Sequence, residues 1–350
     1  LIRIESTREY RNPIPAKAAQ GQAAVAGLNA EQQTILSGIR KELASDDRRP
    51  CLIYGVTGSG KTEVYMELAA EVIAEGKQVI VLIPEIALTF QTLMRFYTRF
   101  GNRVSVLHSR LSDGERFDQY ERAARGELDI MIGPRSALFT PFPRLGLVVI
   151  DEEHETSYKS EKMPKYHARE VAEYLTKREG AGLVLGSATP SLESFYKADT
   201  GEYALFTMRK RYGNAILPKA RIVDMREELK AGNKSFLSGA LAEAITERLM
   251  RGEQSMIFIN RRGVAGFVSC RSCGYVVKCP HCDVSMTQHR NGMMVCHYCG
   301  YTMPVPKVCP DCGSKYISGF RAGTEAVENG LKEKYPTARI IRMEDRKSTR

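Results

Sequence analysis

The sequence predicts an α/β fold built on a parallel, doubly wound sheet, followed by a second α/β unit that a cysteine-rich segment interrupts. Three observations predict it. Short unbroken apolar runs alternate with longer helix-forming stretches, a glycine-rich turn closes the first strand-to-helix junction, and eight of nine cysteines fall between Cys270 and Cys312. Strands covered by helices on both faces read as continuous apolar runs, which is the mark of a parallel sheet.

Taken in order, residues 1–27 are basic, contain Ala, Gly and Pro, and show no clear periodicity. They read as a linker from a preceding region, and Leu1 in place of Met fits a fragment. From Leu28 the pattern becomes β-α-β-α. Strands are expected at residues 50–54, 78–83, 104–107, 130–132, 147–150 and 183–185, with helices at 62–75 and 88–100. A second unit begins near Ala220, with strands at 221–224 and 255–259 flanking a helix at 240–250. Residues 319–350 resume a strand-helix-strand pattern. The expected organisation is therefore a linker at 1–27, a first lobe at 28–212, a partial second lobe at 213–269 and 313–350, and a cysteine-rich insertion at 270–312.

Composition limits the class. The chain has 350 residues, 43% hydrophobic and 26% charged, as expected of an ordinary globular protein of two to three domains. No run of 18 apolar residues and no signal-peptide pattern is present, so neither a membrane span nor export is expected. Lys and Arg number 51 against 41 acidic residues, a balance of +10 that favours an anionic partner such as nucleic acid. Two four-thiolate zinc sites would lower that balance to about +6.

Residues 55–62 read Gly55-Val56-Thr57-Gly58-Ser59-Gly60-Lys61-Thr62, a complete GxxxxGK[ST] loop between a predicted strand and a predicted helix. Its glycines let backbone N–H groups wrap phosphates, and the following helix adds a favourable dipole. Lys61 is expected to reach the β/γ-phosphates of ATP, and the Thr62 hydroxyl to ligate Mg²⁺. An apolar strand ending in Asp151-Glu152-Glu153-His154 supplies the complementary acidic element. There Asp151 is expected to hold Mg²⁺ and Glu152 to orient and deprotonate the attacking water. His154 is either a satisfied structural histidine or a link to the run Gly186-Ser187-Ala188-Thr189-Pro190, whose Ser187 and Thr189 suit a hydrogen-bonded coupling element. Gln32 precedes the loop by some 25 residues, with Gln33 beside it, and the resemblance of these runs to superfamily 2 helicases implies an adenine-reading glutamine at that place. Arg135, after another strand end, is a candidate DNA-backbone contact.

The eight clustered cysteines form four CxxC pairs: Cys270/Cys273, Cys279/Cys282, Cys296/Cys299 and Cys309/Cys312. In a chain that otherwise reads as intracellular, such pairs favour metal over disulfides. Each pair suits a zinc knuckle, and two knuckles complete a tetrahedral site, giving two Zn²⁺. Thirteen residues separate Cys282 from Cys296, and only five separate Cys273 from Cys279. The spacing favours nesting, with the inner pairs on one ion and the outer pairs on the other. Both sites are full, so a structural role is expected. Aromatic and basic residues in the block either stack on bases or pack the ribbon. Cys51 stands alone beside an apolar strand and reads as a small buried hydrophobe.

The phosphate loop, the DEEH box and the SAT run resemble those of superfamily 2 helicases and translocases, which implies RecA-like lobes. Further runs narrow the resemblance. Residues 55–65 (GVTGSGKTEVY), VLIPEIALT, DEEHE with Ser157-Tyr158-Lys159, Tyr166-His167-Ala168-Arg169, GSATPSLES, Asn260-Arg261-Arg262-Gly263, the Cys-Pro-His-Cys knuckle and Gly323-Thr324-Glu325 are similar to the PriA family (primosomal protein N′) of bacterial replication-restart helicases, from about residue 28 to about 340. The resemblance implies a cytoplasmic, ATP-dependent 3′→5′ DNA helicase that binds stalled forks and single-stranded DNA. It also implies work with primosome proteins and single-stranded DNA-binding protein in loading the replicative helicase. In that family the segment between DEEH and SAT is an aromatic-rich loop that senses single-stranded DNA. Here its candidates are Tyr158, Tyr166 and His167, in a chain without tryptophan. The family's N-terminal DNA-binding domains and its arginine-finger motif are expected to lie outside these 350 residues. Two competing readings are another superfamily 2 helicase or translocase, and a zinc-bearing nucleic-acid-binding module with a decayed ATPase.

Overall fold

Apolar runs as continuous as Val79–Leu82 need cover on both faces, and the chain supplies it with two layers of helices. The computed structural model describes residues 10–11, 13, 27–84, 90–211, 218–259, 267–289, 292–319 and 324–342. It divides into two units, Leu1–Leu217 and Pro218–Arg350.

The first unit runs α1 (Ala30–Leu43), β1 (Cys51–Gly55), α2 (Lys61–Ala74), β2 (Gln78–Leu82), α3 (Phe90–Phe100), β3 (Val104–Val106), α4 (Asp113–Ala124), β4 (Ile130–Gly133), β5 (Leu145–Asp151), α5 (Ala168–Glu179), β6 (Gly182–Ser187), α6 (Leu192–Asp199) and β7 (Ala204–Met208). The seven strands form one sheet in the order β3-β4-β2-β5-β6-β1-β7. Every pairing in it is parallel. Alternation persists inside the apolar runs. Ile53, Val79, Val81, Ile132 and Val149 face α1, α2 and α3, whereas Leu52, Ile80, Leu82, Met131 and Val148 join α4 and α5 on the other side. Helix starts are locally specified. Asn29 with Gln32, and Ser112 with Glu115, form capping boxes. Gly186 in β6 has no alternative, because a Cβ there would lie 1.5 Å from the hydroxyl of buried Tyr65.

The expected strands and helices of this unit form, with boundaries moved by at most two residues. One strand was not expected: β7 pairs in register with β1, Cys51 against Ala204. Residues 85–89, which hold most of the VLIPEIALT run and the start of the expected second helix, lie outside the described residues, as do nearly all of residues 1–27.

The second unit departs more from expectation. It contains α7 (Met225–Lys230), α8 (Gly239–Met250), β8 (Val268–Cys270), β9 (Thr287–Gln288), β10 (Met293–Val295), β11 (Thr302–Pro304), β12 (Ile317–Gly319) and α9 (Thr324–Lys334). The strands expected at 221–224 and 255–259 do not form. A strand needs a hydrogen-bonded neighbour, and neither segment finds one among the described residues. Asp224 instead caps α7, its side chain accepting from the Arg226 N–H. Ile257 and Ile259 pack on a small core of Leu237, Ile245, Val327 and Leu331. The strand expected near 319 exists, but it pairs antiparallel with β8 and so closes the cysteine-rich segment. The described part of the final segment, up to Arg342, adds no strand. The NRRG run and Gly323 lie outside the described residues.

Candidate functional site

The carboxyl ends of β1, β5 and β6 are adjacent in the sheet, and the three sequence motifs emerge from them. After β1, the loop turns through Gly58 and Gly60 at φ 77° and 86°, left-handed values that favour glycine. A Cβ on Gly60 would lie 2.1 Å from the Gln32 amide nitrogen. Lys61 is buried, and its Nζ donates to the Gly55 carbonyl at 2.9 Å. Thr57, Gly58, Ser59, Gly60, Lys61, Thr62, Glu63, Arg95, Asp151 and Glu152 line one cleft of about 270 Å³. The structure thus brings the loop and the acidic element together.

Asp151 ends β5. Buried Tyr65 donates to its Oδ1 at 3.2 Å, and buried Tyr158 donates to its backbone carbonyl at 2.7 Å. Burial, reinforced by the Glu152 charge, pushes the Asp151 carboxyl up to about 6. Glu152 adopts φ 47°, a left-handed conformation that is rare outside glycine and holds strain of order 1 kcal/mol. Its neighbour Glu153 faces the other way. It is 1% exposed and accepts from the Ser191 N–H at 2.7 Å, the Ser194 hydroxyl at 2.8 Å and Arg169 Nη1 at 3.3 Å. The same Arg169 Nη1 donates to Ser191 Oγ at 2.7 Å. A buried network therefore joins the acidic box, the start of α5 and the SAT run. His154 Nδ1 lies 2.7 Å from Ser187 Oγ and 3.7 Å from a Glu152 oxygen, so the histidine bridges the acidic element and β6. Ser187 Oγ in turn accepts from the Thr189 N–H at 2.9 Å.

Three expected roles meet a different setting. Gln32 is fully buried. Its oxygen accepts from the Asn29 N–H, and its nitrogen donates to the Ser59 and Gly60 carbonyls, so it braces the phosphate loop. The exposed neighbour Gln33 donates to the Leu28 carbonyl. Tyr158 is 1% exposed, its hydroxyl donating to the Asp151 carbonyl. Arg135 Nη1 is engaged by the carbonyls of Ser157 and Lys159 at 2.6 and 3.1 Å. Residues 159–167 form a small loop closed by a bridge between Lys159 and His167, and the His167 ring accepts from the Arg169 N–H. Tyr166 makes an edge contact with exposed Phe139, centroids 5.4 Å apart. Sequence reasoning missed Phe139, Arg95 and the Glu153–Arg169 network. Arg169 and both serines stand in motifs already singled out, but their pairing is a tertiary fact. No sequence signal marks Arg95.

The cysteines close into two groups, Cys270/Cys273/Cys309/Cys312 and Cys279/Cys282/Cys296/Cys299, with the sulfurs of each group within 4.8 Å of one another. The pairing is nested. Cys273 and Cys309 sulfurs are 3.6 Å apart, as are those of Cys279 and Cys299. That is too long for a disulfide and close to the ~3.8 Å edge of a tetrahedron with 2.3 Å zinc–sulfur bonds. The donor set fits Zn²⁺. Each knuckle repeats one geometry: the N–H of Gly274, Asp283, Gly300 or Gly313 donates to the carbonyl of the first cysteine of its pair at 2.8–2.9 Å. All four of those residues have positive φ.

Residues 30–197 match the DEAD/DEAH box helicase family, and residues 279–304 match the PriA DNA helicase Cys-rich region domain. Fold and site define a RecA-like helicase lobe joined to a two-site Cys₄ ribbon module. Replication restart protein PriA of Bacillus subtilis is 47% identical over 98% of this chain and 43% of its own length. That of Synechocystis is 45% identical over 91% and 40%. The chain belongs to the PriA family. It spans about two fifths of the length of the curated relatives it matches. Among solved structures, RecG bound to a three-way DNA junction aligns at 21% identity over 65% of this chain and 29% of that one, TM-score 0.44. Among the described residues, no helix is long and apolar enough to cross a membrane.

Proposed function

We propose that this chain is the motor segment of a cytoplasmic ATP-dependent 3′→5′ DNA helicase or translocase that recognises stalled or forked DNA and promotes replication restart and primosome assembly. The observation that carries the reading is a single cleft lined by Lys61, Thr62, Asp151 and Glu152 at the carboxyl ends of neighbouring parallel strands. In this reading the loop N–H groups wrap the phosphates of ATP, and Lys61 adds positive charge as negative charge shifts toward the β/γ-bridge. Thr62 and Asp151 would hold Mg²⁺, which screens the phosphate charge when bound. Glu152 takes the proton of the attacking water. His154, Ser187 and Thr189 carry the nucleotide state to the SAT run. The Glu153–Arg169 network carries it to the loop that ends at Tyr166 and His167, where DNA would bind.

Family membership supports DNA as the partner, with primosome proteins and single-stranded DNA-binding protein as further ones. ATP turnover by the full-length protein should rise with forked DNA more than with structured RNA. Equal stimulation by both would favour another superfamily 2 activity, and no turnover at all would favour the decayed-ATPase reading. The two closed Cys₄ sites leave no open position and serve structure.

A further inference from the structure

Arg95 is the one cation of the phosphate cleft, among the described residues, that no motif accounts for. It sits on α3, lines the cleft with the phosphate loop, and pairs through Nη2 with a Glu63 oxygen. Both side chains are largely covered, at 31% and 15% exposure. The other Glu63 oxygen lies beside Gly60, 3.2 Å from where a Cβ would stand. Glu63 follows Thr62 in the first turn of α2, so an unpaired carboxylate there would face incoming phosphates and repel them. A guanidinium has five N–H donors in a fixed fork, more than one carboxylate oxygen uses.

We propose that Arg95 is a nucleotide-binding residue whose guanidinium fork meets the α/β-phosphates. The side is set by position. Backbone N–H groups of the loop and first turn cradle the α- and β-phosphates, and Arg95 joins the cleft at the first turn, through Glu63. The γ-phosphate end is instead served by Lys61, Asp151 and Glu152. Arg95 is the contact, and Glu63 is its ion-pair partner.

This rests on the nucleotide reading of the cleft, and ADP binding by the intact chain, measured by calorimetry with Mg²⁺, separates the two. Arg95→Gln should raise the Kd for ADP roughly tenfold or more, the scale of a charge-assisted hydrogen bond. The Kd for a non-hydrolysable ATP analogue should rise by the same factor, with the unfolding midpoint unchanged. Glu63→Gln should bind ADP as tightly as the unsubstituted chain, or more tightly, because a negative charge near phosphate is gone. The double variant Glu63→Gln/Arg95→Gln should stay as weak as Arg95→Gln. If Arg95 merely neutralised Glu63, the double variant would recover affinity, and that result overturns the proposal. An ADP Kd within twofold of the unsubstituted chain in folded Arg95→Gln overturns it too. Should Arg95→Gln not fold, tenfold weakening in Glu63→Gln alone would show that the ion pair is what the site needs, against the proposal. If the unsubstituted chain binds no ADP, the cleft reading fails and takes this inference with it.

Discussion

Glu152 and Glu153 are neighbours of the same chemistry with opposite fates, and the backbone decides which does what. The left-handed turn at Glu152 leaves its carboxylate in the cleft, while Glu153 is buried against Arg169 and two serines. Glu152→Gln in the full-length protein should therefore keep ATP bound and lower turnover by about 100-fold or more. Steady-state hydrolysis and filter retention of nucleotide check this, and normal turnover would remove Glu152 from the base role. Glu153 cannot inherit it, since it has no exposed surface and ionic partners already in place. Asp151 permits a stability test. Its carboxyl is pushed up to about 6 from 3.8, so the folded chain holds that proton more tightly than the unfolded chain. Stability then falls as pH rises from about 4 to about 6, and the loss is complete at pH 7.5. Without metal, Asp151→Asn should unfold at a higher temperature than the unsubstituted chain at pH 7.5, with the gap closing toward pH 4. A lower midpoint at pH 7.5 would contradict the burial of an ionised group there.

At the scale of elements, what could be read from sequence depended on whether an element's own residues carried the signal. β1, β2, β5 and β6 are legible because a strand covered on both faces must be apolar throughout, and the helices starting at Lys61 and Gly239 are legible from the turns before them. β7 was not, since an edge strand with Leu205 and Thr207 exposed carries a weaker apolar signal. Residues 221–224 and 255–259 have strand composition but no ladder partner among the described residues, and composition cannot supply one. The phosphate loop and the acidic box were legible as motifs. The Gln32 brace, the buried Tyr158 and the Glu153–Arg169 network were not, because they depend on which strands become neighbours. In the ribbon, three of the four knuckles place glycine after the second cysteine, and the fourth places Asp283 there at φ 53°. Gly300→Val should therefore weaken zinc at the inner site about tenfold, as a residue without glycine's freedom enters a left-handed position. Asp283→Gly should hold zinc as well as the unsubstituted chain. Competition with a chromogenic chelator reads both, and equal affinity in Gly300→Val would show that the knuckle turn does not limit binding.

Across the whole molecule the two units hold themselves together by different means. The first buries two extensive apolar layers, one on each face of its sheet, whereas the ribbon buries a short list that includes its own cysteines. Metal should therefore hold the ribbon and leave the first unit independent of it. Protein purified without chelator should carry two zinc ions per chain, and Cys279→Ser should lose the inner one while retaining ADP affinity within about twofold. One zinc or none in the unsubstituted chain would contradict the paired Cys₄ sites, and loss of ADP binding in Cys279→Ser would contradict the independence of the first unit. Everything said of helicase function passes through the cleft at Lys61, so nucleotide binding there is the direct test. Calorimetric titration of the chain with Mg²⁺ and ADP should show one saturable site, with Kd raised at least tenfold in Lys61→Ala and the unfolding midpoint preserved. Absence of binding by the unsubstituted chain, or unchanged affinity in folded Lys61→Ala, would contradict the account at its centre.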